Sequence, residues 1–216
     1  MISIDKPEIL PDRKPADRIA QVLSLLLHPL LLPTLGTWLL FWVAPGAAMY
    51  SFKLKYVILL IVFASSFALP LMFIGLLKLN SGSKFFGLSA RYERTLPYVF
   101  TAFSLYLGLQ IITRIPISAF FRLFLLGCFI LLILLFVVKT FWNISEHTVG
   151  FGALLGAFLG FTFRFALPVQ GVLEVLLVLA GLAGTVQLFR DQHTEEELYF
   201  GYLFGFAILY LTIRMI

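Results

Sequence analysis

Long apolar runs alternate with short polar segments along the chain, and most of these runs approach the length of a membrane-spanning helix. The runs cover about residues 19–43, 56–77, 97–112, 120–138, 148–163, 169–188 and 198–213. A spanning helix needs roughly 17 to 25 apolar residues. His28-Pro29 and Pro33 interrupt the first run, which predicts one kinked span or a short helix followed by a span. The pattern therefore predicts an all-α, polytopic transmembrane helical bundle with six or seven spans.

Composition supports a membrane protein. Of the 216 residues 61% are hydrophobic and only 12% are charged, whereas charged residues make up about 25% of a soluble domain. The net charge of +5 is attributed to basic residues at span ends, which anchor to lipid headgroups, rather than to nucleic-acid binding. A single cysteine, Cys128, excludes a disulfide within the chain and a metal site built on cysteines.

The same pattern predicts one domain. Residues 1–18 mix both charge signs with three prolines and predict a polar N-terminal tail, without a cleaved signal peptide. Residues 19–216 predict a single transmembrane helical domain. Its chemistry must therefore be carried by helix ends and short polar segments.

Three polar segments stand out: residues 84–97, 143–147 and 187–197, called here the first, second and third polar segments. Two apolar runs separate each segment from the next. Because two spans return the chain to the side it started from, all three segments are predicted to lie at the same membrane face.

The third polar segment predicts a helix start. Thr194 and Glu197 have the spacing of a capping box, and His193 stands just before the first turn. His193, Glu197, Gly201 and Gly205 recur every four residues, which would place Glu197 beneath His193 if the helix begins slightly before Thr194. A carboxylate in that position can hold an imidazole in one tautomer. The alternative interpretation is a capped helix end followed by a packing face of small residues.

The other two segments supply groups suited to an anion. Ser145 is the predicted N-cap of the fifth span, with His147 in its first turn, where free amides and the helix dipole favour anions. Lys84, Arg91 and Arg94 add cations that match phosphate oxygens. Together the segments favour phosphoryl transfer: cations hold the phosphate, one histidine attacks phosphorus, and the other protonates the leaving oxygen. Separately, they predict only capped helix ends and a basic membrane-anchoring loop.

In this order the three segments resemble the type 2 phosphatidic acid phosphatases, relatives of the vanadium haloperoxidases. That family carries the motifs K-x6-R-P, P-S-G-H and S-R-x5-H-x3-D. The resemblance covers about residues 84–205. The matching positions are Lys84 with Arg91, Ser145 with His147, and His193 with Glu197, a longer acid than the family's aspartate.

The resemblance implies a role for each residue. His193 would be the nucleophile that forms a phosphohistidine, Glu197 would orient it, and His147 would be the general acid. The implied phosphate-binding residues are Lys84, Arg91, Arg94, Ser145 and Arg190. Neither a metal nor another cofactor would be required, and the substrate would be a membrane lipid bearing a phosphate or diphosphate.

The chain departs from the family pattern in all three motifs. No proline follows Arg91, and Arg94 with Pro97 is the alternative match. Glu146 replaces the glycine of the second motif. Gln187 stands where an arginine is expected six residues before the nucleophile, and Arg190 follows three residues later.

Two other functions remain open from the residues. The departures favour a non-catalytic relative that binds phospholipid headgroups or a membrane partner. A metal-dependent membrane enzyme or metal transporter would use ligands drawn from His147, His193, Glu146, Glu197 and Asp191.

Under the leading hypothesis the protein is a multi-pass phosphatase of a bacterial cytoplasmic membrane. Its glycine faces would pack helices within one chain or between two copies in a homo-oligomer.

Overall fold

The computed structural model describes residues 28–79, 90–190 and 193–216, and their side chains except those of 77–79 and 90–95. The predicted N-terminal tail, Lys84 and Asp191 lie outside the described residues. All regular structure in the described ranges is helical. The helices are α1 Leu32–Val43, α2 Phe52–Phe63, α3 Leu69–Leu79, α4 Ala90–Thr113, α5 Ala119–Lys139, α6 Glu146–Phe165, α7 Gln170–Phe189 and α8 Glu195–Met215.

Six apolar stretches of the described chain are long enough to cross a membrane. They are Phe52–Leu76, Leu96–Thr113, Ala119–Lys139, Glu146–Phe165, Gln170–Phe189 and Glu195–Met215. The first combines α2, a π-helical turn and most of α3. These stretches confirm the predicted all-α bundle and identify a multi-pass membrane protein.

Helix α1 is shorter than the other apolar stretches and packs beside the first half of α6. Added to Gly150, a Cβ would lie 2.1 Å from Leu32, and added to Gly36 it would lie 2.8 Å from Leu154. Both helices therefore advance in the same direction. Beyond the end of α1, the hydroxyl of Tyr50 accepts a hydrogen bond of 2.7 Å from the amide of Ser118. This bond connects the segment after α1 to the start of α5.

The π-helical turn Ala64–Ala68 between α2 and α3 was not predicted from the sequence. A π turn disturbs the regular backbone hydrogen bonds, and the carbonyl of Ser65 accepts a hydrogen bond of 2.6 Å from the hydroxyl of Ser104 on α4. Gly108 on α4 leaves the room for this contact, since a Cβ there would lie 2.4 Å from the Ser65 hydroxyl. The turn thus joins the α2–α3 span to α4 through this hydrogen bond and the close contact at Gly108.

Helices α6 and α8 form the centre of the bundle and pack in parallel with their backbones in contact. A Cβ on Gly152 would lie 2.2 Å from the carbonyl oxygen of Tyr202, and a Cβ on Gly205 would lie 1.9 Å from that of Val149. Glycine is required at such positions because no side chain fits between the two backbones. The glycine faces that the sequence indicates therefore pack helices within this chain.

A reciprocal pair of arginines closes the far end of the α6–α8 pair. Arg164 on α6 donates to the carbonyl of Ile213, and Arg214 on α8 donates to the carbonyl of Phe163. Because α6 and α8 are parallel, their starts lie together at the other end, next to the start of α1. This end, marked by His28, Ser145 and His193, is called here the site end.

Candidate functional site

His193 and Glu197 form a hydrogen-bonded pair at the start of α8. The Nδ1 atom of His193 lies 2.8 Å from Oε2 of Glu197, and Thr194 and Glu197 form the predicted capping box. An ionised carboxylate only accepts hydrogen bonds, so Nδ1 of the neutral ring carries the proton and Nε2 keeps its lone pair. The predicted contact of Glu197 with His193 is therefore present, although the helix begins only at Glu195, and it leaves the lone pair of Nε2 of His193 available.

The direction in which this pair faces follows from the glycines of α8. Gly201 and Gly205 face α6, with a Cβ on Gly201 lying 3.1 Å from the carbonyl oxygen of Ser145. Glu197 is one helical turn, about 5.4 Å, before Gly201 on the same stripe. The His193–Glu197 pair therefore extends the α6-facing stripe of α8 past the point where α6 begins.

Ser145 occupies the predicted N-cap position of α6, but its hydroxyl makes no capping hydrogen bond. The residue is fully buried, and its Oγ is without a partner among the described residues. Its carbonyl accepts a hydrogen bond of 3.0 Å from the hydroxyl of Thr148. The amides at the start of α6 point towards this end, and with the positive end of the helix dipole they make it suited to an anion.

Glu146, which replaces a glycine in the resemblance, is held in an ion pair. Its Oε1 lies 3.0 Å from Nζ of Lys139, and the same oxygen accepts a hydrogen bond from the hydroxyl of Tyr98. Lys139 also lies 3.5 Å from Oδ1 of Asn143. The carboxylate charge that the sequence places beside the anion site is thus compensated by an ammonium from the end of α5.

His147 lies beside a histidine that the sequence analysis did not assign to the site. The ring centroids of His28 and His147 are 6.1 Å apart, in an edge-to-face arrangement. The Nδ1 atom of His28 accepts the amide hydrogen of Leu30 at 3.2 Å, which caps the short helical turn before α1. Burial lowers the pKa of His28, an effect that the carboxylate of Glu146 partly offsets. Only the parallel packing of α1 and α6 brings these histidines together, and no sequence spacing signals it.

Gln187 and Arg190 have different surroundings at the end of α7. The side chain of Gln187 is 1% exposed, and neither its amide nitrogen nor its amide oxygen has a hydrogen-bond partner in the described structure. Arg190 is the C-cap residue of α7 and is partly exposed. The buried position next to the bundle centre is therefore held by the neutral glutamine rather than by the arginine.

The basic residues of the first polar segment are only partly placed. Arg91 and Arg94 belong to the first turns of α4, and their side chains lie outside the described residues. Tyr98, one turn beyond Arg94, reaches Glu146. The start of α4 is therefore at the site end, as the alternation of spans predicts.

Taken together, the site end holds an imidazole hydrogen-bonded to a carboxylate, a helix start suited to an anion, and two neighbouring imidazoles. In the described part of the chain, no group of three or more histidine, cysteine or acidic side chains is arranged to hold a metal ion. Comparisons with protein-family models, with curated proteins and with solved structures found no match.

Proposed function

We propose that this protein is a membrane-embedded, metal-independent phosphatase that hydrolyses a lipid phosphate or diphosphate through a phosphohistidine intermediate. The observation that carries the proposal is the His193–Glu197 hydrogen bond of 2.8 Å, on the stripe of α8 that faces the start of α6. A nucleophile oriented by a carboxylate beside an anion-binding helix start is what phosphoryl transfer through histidine requires.

The proposed reaction has two balanced steps. Nε2 of His193 attacks phosphorus, the bond from phosphorus to the lipid oxygen breaks, and the leaving oxygen takes a proton from His147. Water then attacks the phosphohistidine while His147 takes a proton from it, which releases inorganic phosphate and restores both imidazoles. Glu197 stabilises the positive charge that develops on His193.

The remaining sequence candidates would bind the phosphate. Ser145 contributes the start of α6, and Lys84, Arg91, Arg94 and Arg190 would supply positive charge. The ion pair of Lys139 with Glu146 supports this assignment, because it removes the net negative charge that would otherwise repel the phosphate.

The position of the site at the ends of the spans favours a lipid substrate. A headgroup phosphate can reach the site end while the hydrocarbon tails remain in the bilayer. Candidate substrates are phosphatidic acid, phosphatidylglycerol phosphate, a polyprenyl diphosphate and the phosphate of lipid A. The proposed location is a bacterial cytoplasmic membrane.

Phosphate release tests the proposal. The purified protein in detergent, with excess chelator, is offered each candidate lipid, beside His193→Ala and the matched control Glu195→Ala, an exposed residue of the same helix start. We expect release by the wild type and by Glu195→Ala, and none by His193→Ala. Release by His193→Ala at the wild-type rate would contradict the nucleophile, and release that depends on added metal would contradict the metal-independent mechanism.

One observation favours the second candidate, a non-catalytic relative that binds phospholipid headgroups. Gln187 is buried and uncharged where the resemblance expects an arginine, and loss of a donor to the transition state costs roughly 3 to 4 kcal/mol. The same panel separates the two functions. Binding of lipid vesicles that carry phosphatidic acid, without phosphate release from any lipid, would establish the binder.

A further inference from the structure

His28 contacts the candidate site from outside the three polar segments. It stands at the site end, just before the helical turn Pro29–Leu31 that leads into α1. Its ring lies edge to face against His147, with a centroid distance of 6.1 Å, and against Phe67 of the π-helical turn, with a distance of 6.2 Å. The imidazole is thus held between α6 and the α2–α3 span.

The hydrogen bond to Leu30 fixes both the orientation and the tautomer of His28. Its Nδ1 accepts the backbone amide hydrogen of Leu30 at 3.2 Å. Because the lone pair of Nδ1 is used in this way, the proton of the neutral ring resides on Nε2. The ring beside His147 is therefore anchored to the backbone and cannot rotate without losing the cap of the turn.

The described charged and titratable groups around His28 come from three helices. His147 and Glu146 belong to α6, Lys139 of α5 is paired with Glu146, and Tyr98 of α4 donates to the same carboxylate. The π-helical turn contributes only the apolar ring of Phe67. Glu146 is paired with Lys139, and a neutral His28 adds no positive charge beside His147.

We propose that His28 is a positioning residue of the candidate site, whose anchored ring holds the imidazole of His147 in the orientation from which His147 protonates the leaving oxygen. The catalytic consequence rests on the proposed phosphatase function, whereas the contact between the two rings does not. The competing explanation is that His28 only caps the turn before α1.

Two substitutions separate these explanations. In His28→Asn, the side-chain oxygen can still accept the amide of Leu30, because asparagine is among the best N-cap residues, but the ring against His147 is gone. In His28→Ala, both the cap and the ring are lost. Thermal unfolding in detergent is expected to show the wild-type melting temperature for His28→Asn and a lower one for His28→Ala.

Two further measurements on the same proteins decide the role of His28. The first is the rate at which diethyl pyrocarbonate modifies His147, resolved from the other two histidines by mass spectrometry of peptides. The second is phosphate release from phosphatidic acid in mixed micelles, separated into kcat and KM. For His28→Asn we expect several-fold faster modification of His147, and a fall in kcat of about tenfold or more with an unchanged KM, as for a misplaced general acid.

Unchanged modification of His147 in a folded His28→Asn would overturn the proposal, because it would show that the ring contact does not hold His147. An unchanged kcat in that variant would overturn it as well and would leave His28 as a cap. If the wild type releases no phosphate from any lipid, the proposed function fails, and the modification rate still decides whether His28 positions His147.

Discussion

The ammonium of Lys139 lies 3.0 Å from the carboxylate of Glu146. The two residues end α5 and begin α6, so their ion pair closes the connection between these helices. The side chain of Lys139 is 11% exposed and that of Glu146 is 35% exposed. The ion pair is therefore neither fully buried nor fully exposed to solvent. Solvent therefore screens part of the attraction.

Removal of Lys139 should destabilise the protein more than removal of an exposed lysine. Lys139→Met leaves the carboxylate of Glu146 without its cation, and we expect a loss of about 1 to 2 kcal/mol in the free energy of unfolding. The matched control is Lys53→Met on the exposed start of α2. Denaturant unfolding in detergent measures both. Adding Glu146→Gln to Lys139→Met should recover most of the loss, and a purely additive double variant would show that the pair is not coupled.

The contact between α6 and α8 predicts that Gly205→Ala prevents normal folding. The added methyl group would lie 1.9 Å from the carbonyl oxygen of Val149, and backbone cannot move aside as a flexible side chain can. We expect a loss of about 3 kcal/mol or more. In Gly181→Ala the methyl group meets nothing within 4 Å, so helix propensity should leave stability equal or raised by up to about 1 kcal/mol. Equal stability of both variants would refute the packing.

Replacing Gln187 by methionine should stabilise the protein. The amide of Gln187 is buried without a described hydrogen-bond partner, and an unsatisfied buried polar group costs about 1 to 3 kcal/mol. Gln187→Met keeps a similar shape without polar atoms, so we expect a higher melting temperature. Gln170→Met, at the exposed start of the same helix, should give no comparable gain. A lower melting temperature for Gln187→Met would contradict the prediction.

The burial of His28 predicts a loss of stability in mild acid. Its pKa is lowered from the usual 6.5 in the folded protein, so the unfolded chain binds the proton more readily. The stability that His28 contributes is therefore fully present above about pH 6.5 and falls as the pH drops through that value towards the lower folded-state pKa. Melting temperatures between pH 8 and pH 5 should fall more steeply for the wild type than for His28→Asn. Parallel curves would contradict the prediction.

Apolar pattern and spacing were sufficient to predict the spans and the local geometry at helix starts. The Glu197–His193 pair and the glycine stripe follow from a repeat of four residues, which a helix converts directly into a common face. The alternation of spans also predicted a common end for the start of α4, Ser145 and His193. These features depend on residues close to each other in the sequence or on the number of times that the chain crosses the membrane.

Contacts between distant helices could not be predicted in the same way. Nothing in the residues around His28 specifies that α1 packs in parallel with α6, and the pairing of Glu146 with Lys139 and Tyr98 depends on how three helices rotate about their axes. The carbonyl of Ser65 in the π-helical turn Ala64–Ala68 likewise pairs with the hydroxyl of Ser104 from another helix. Each contact joins residues that are far apart in the sequence, so the pattern of residues around any one of them does not predict it.

The backbone contact between α6 and α8 also bears on how the protein is assembled in the membrane. A ribosome delivers α6 first, then α7, and only afterwards the helix whose glycines fit against α6. Until α8 has been inserted, Gly152 and Gly156 of α6 lack the backbone of Tyr202 and Phe206 against which they pack, and His193 has not been synthesised. The candidate site is therefore completed only after α8 has followed α6 and α7 into the bundle, so a chain that stalls before α8 has no complete site.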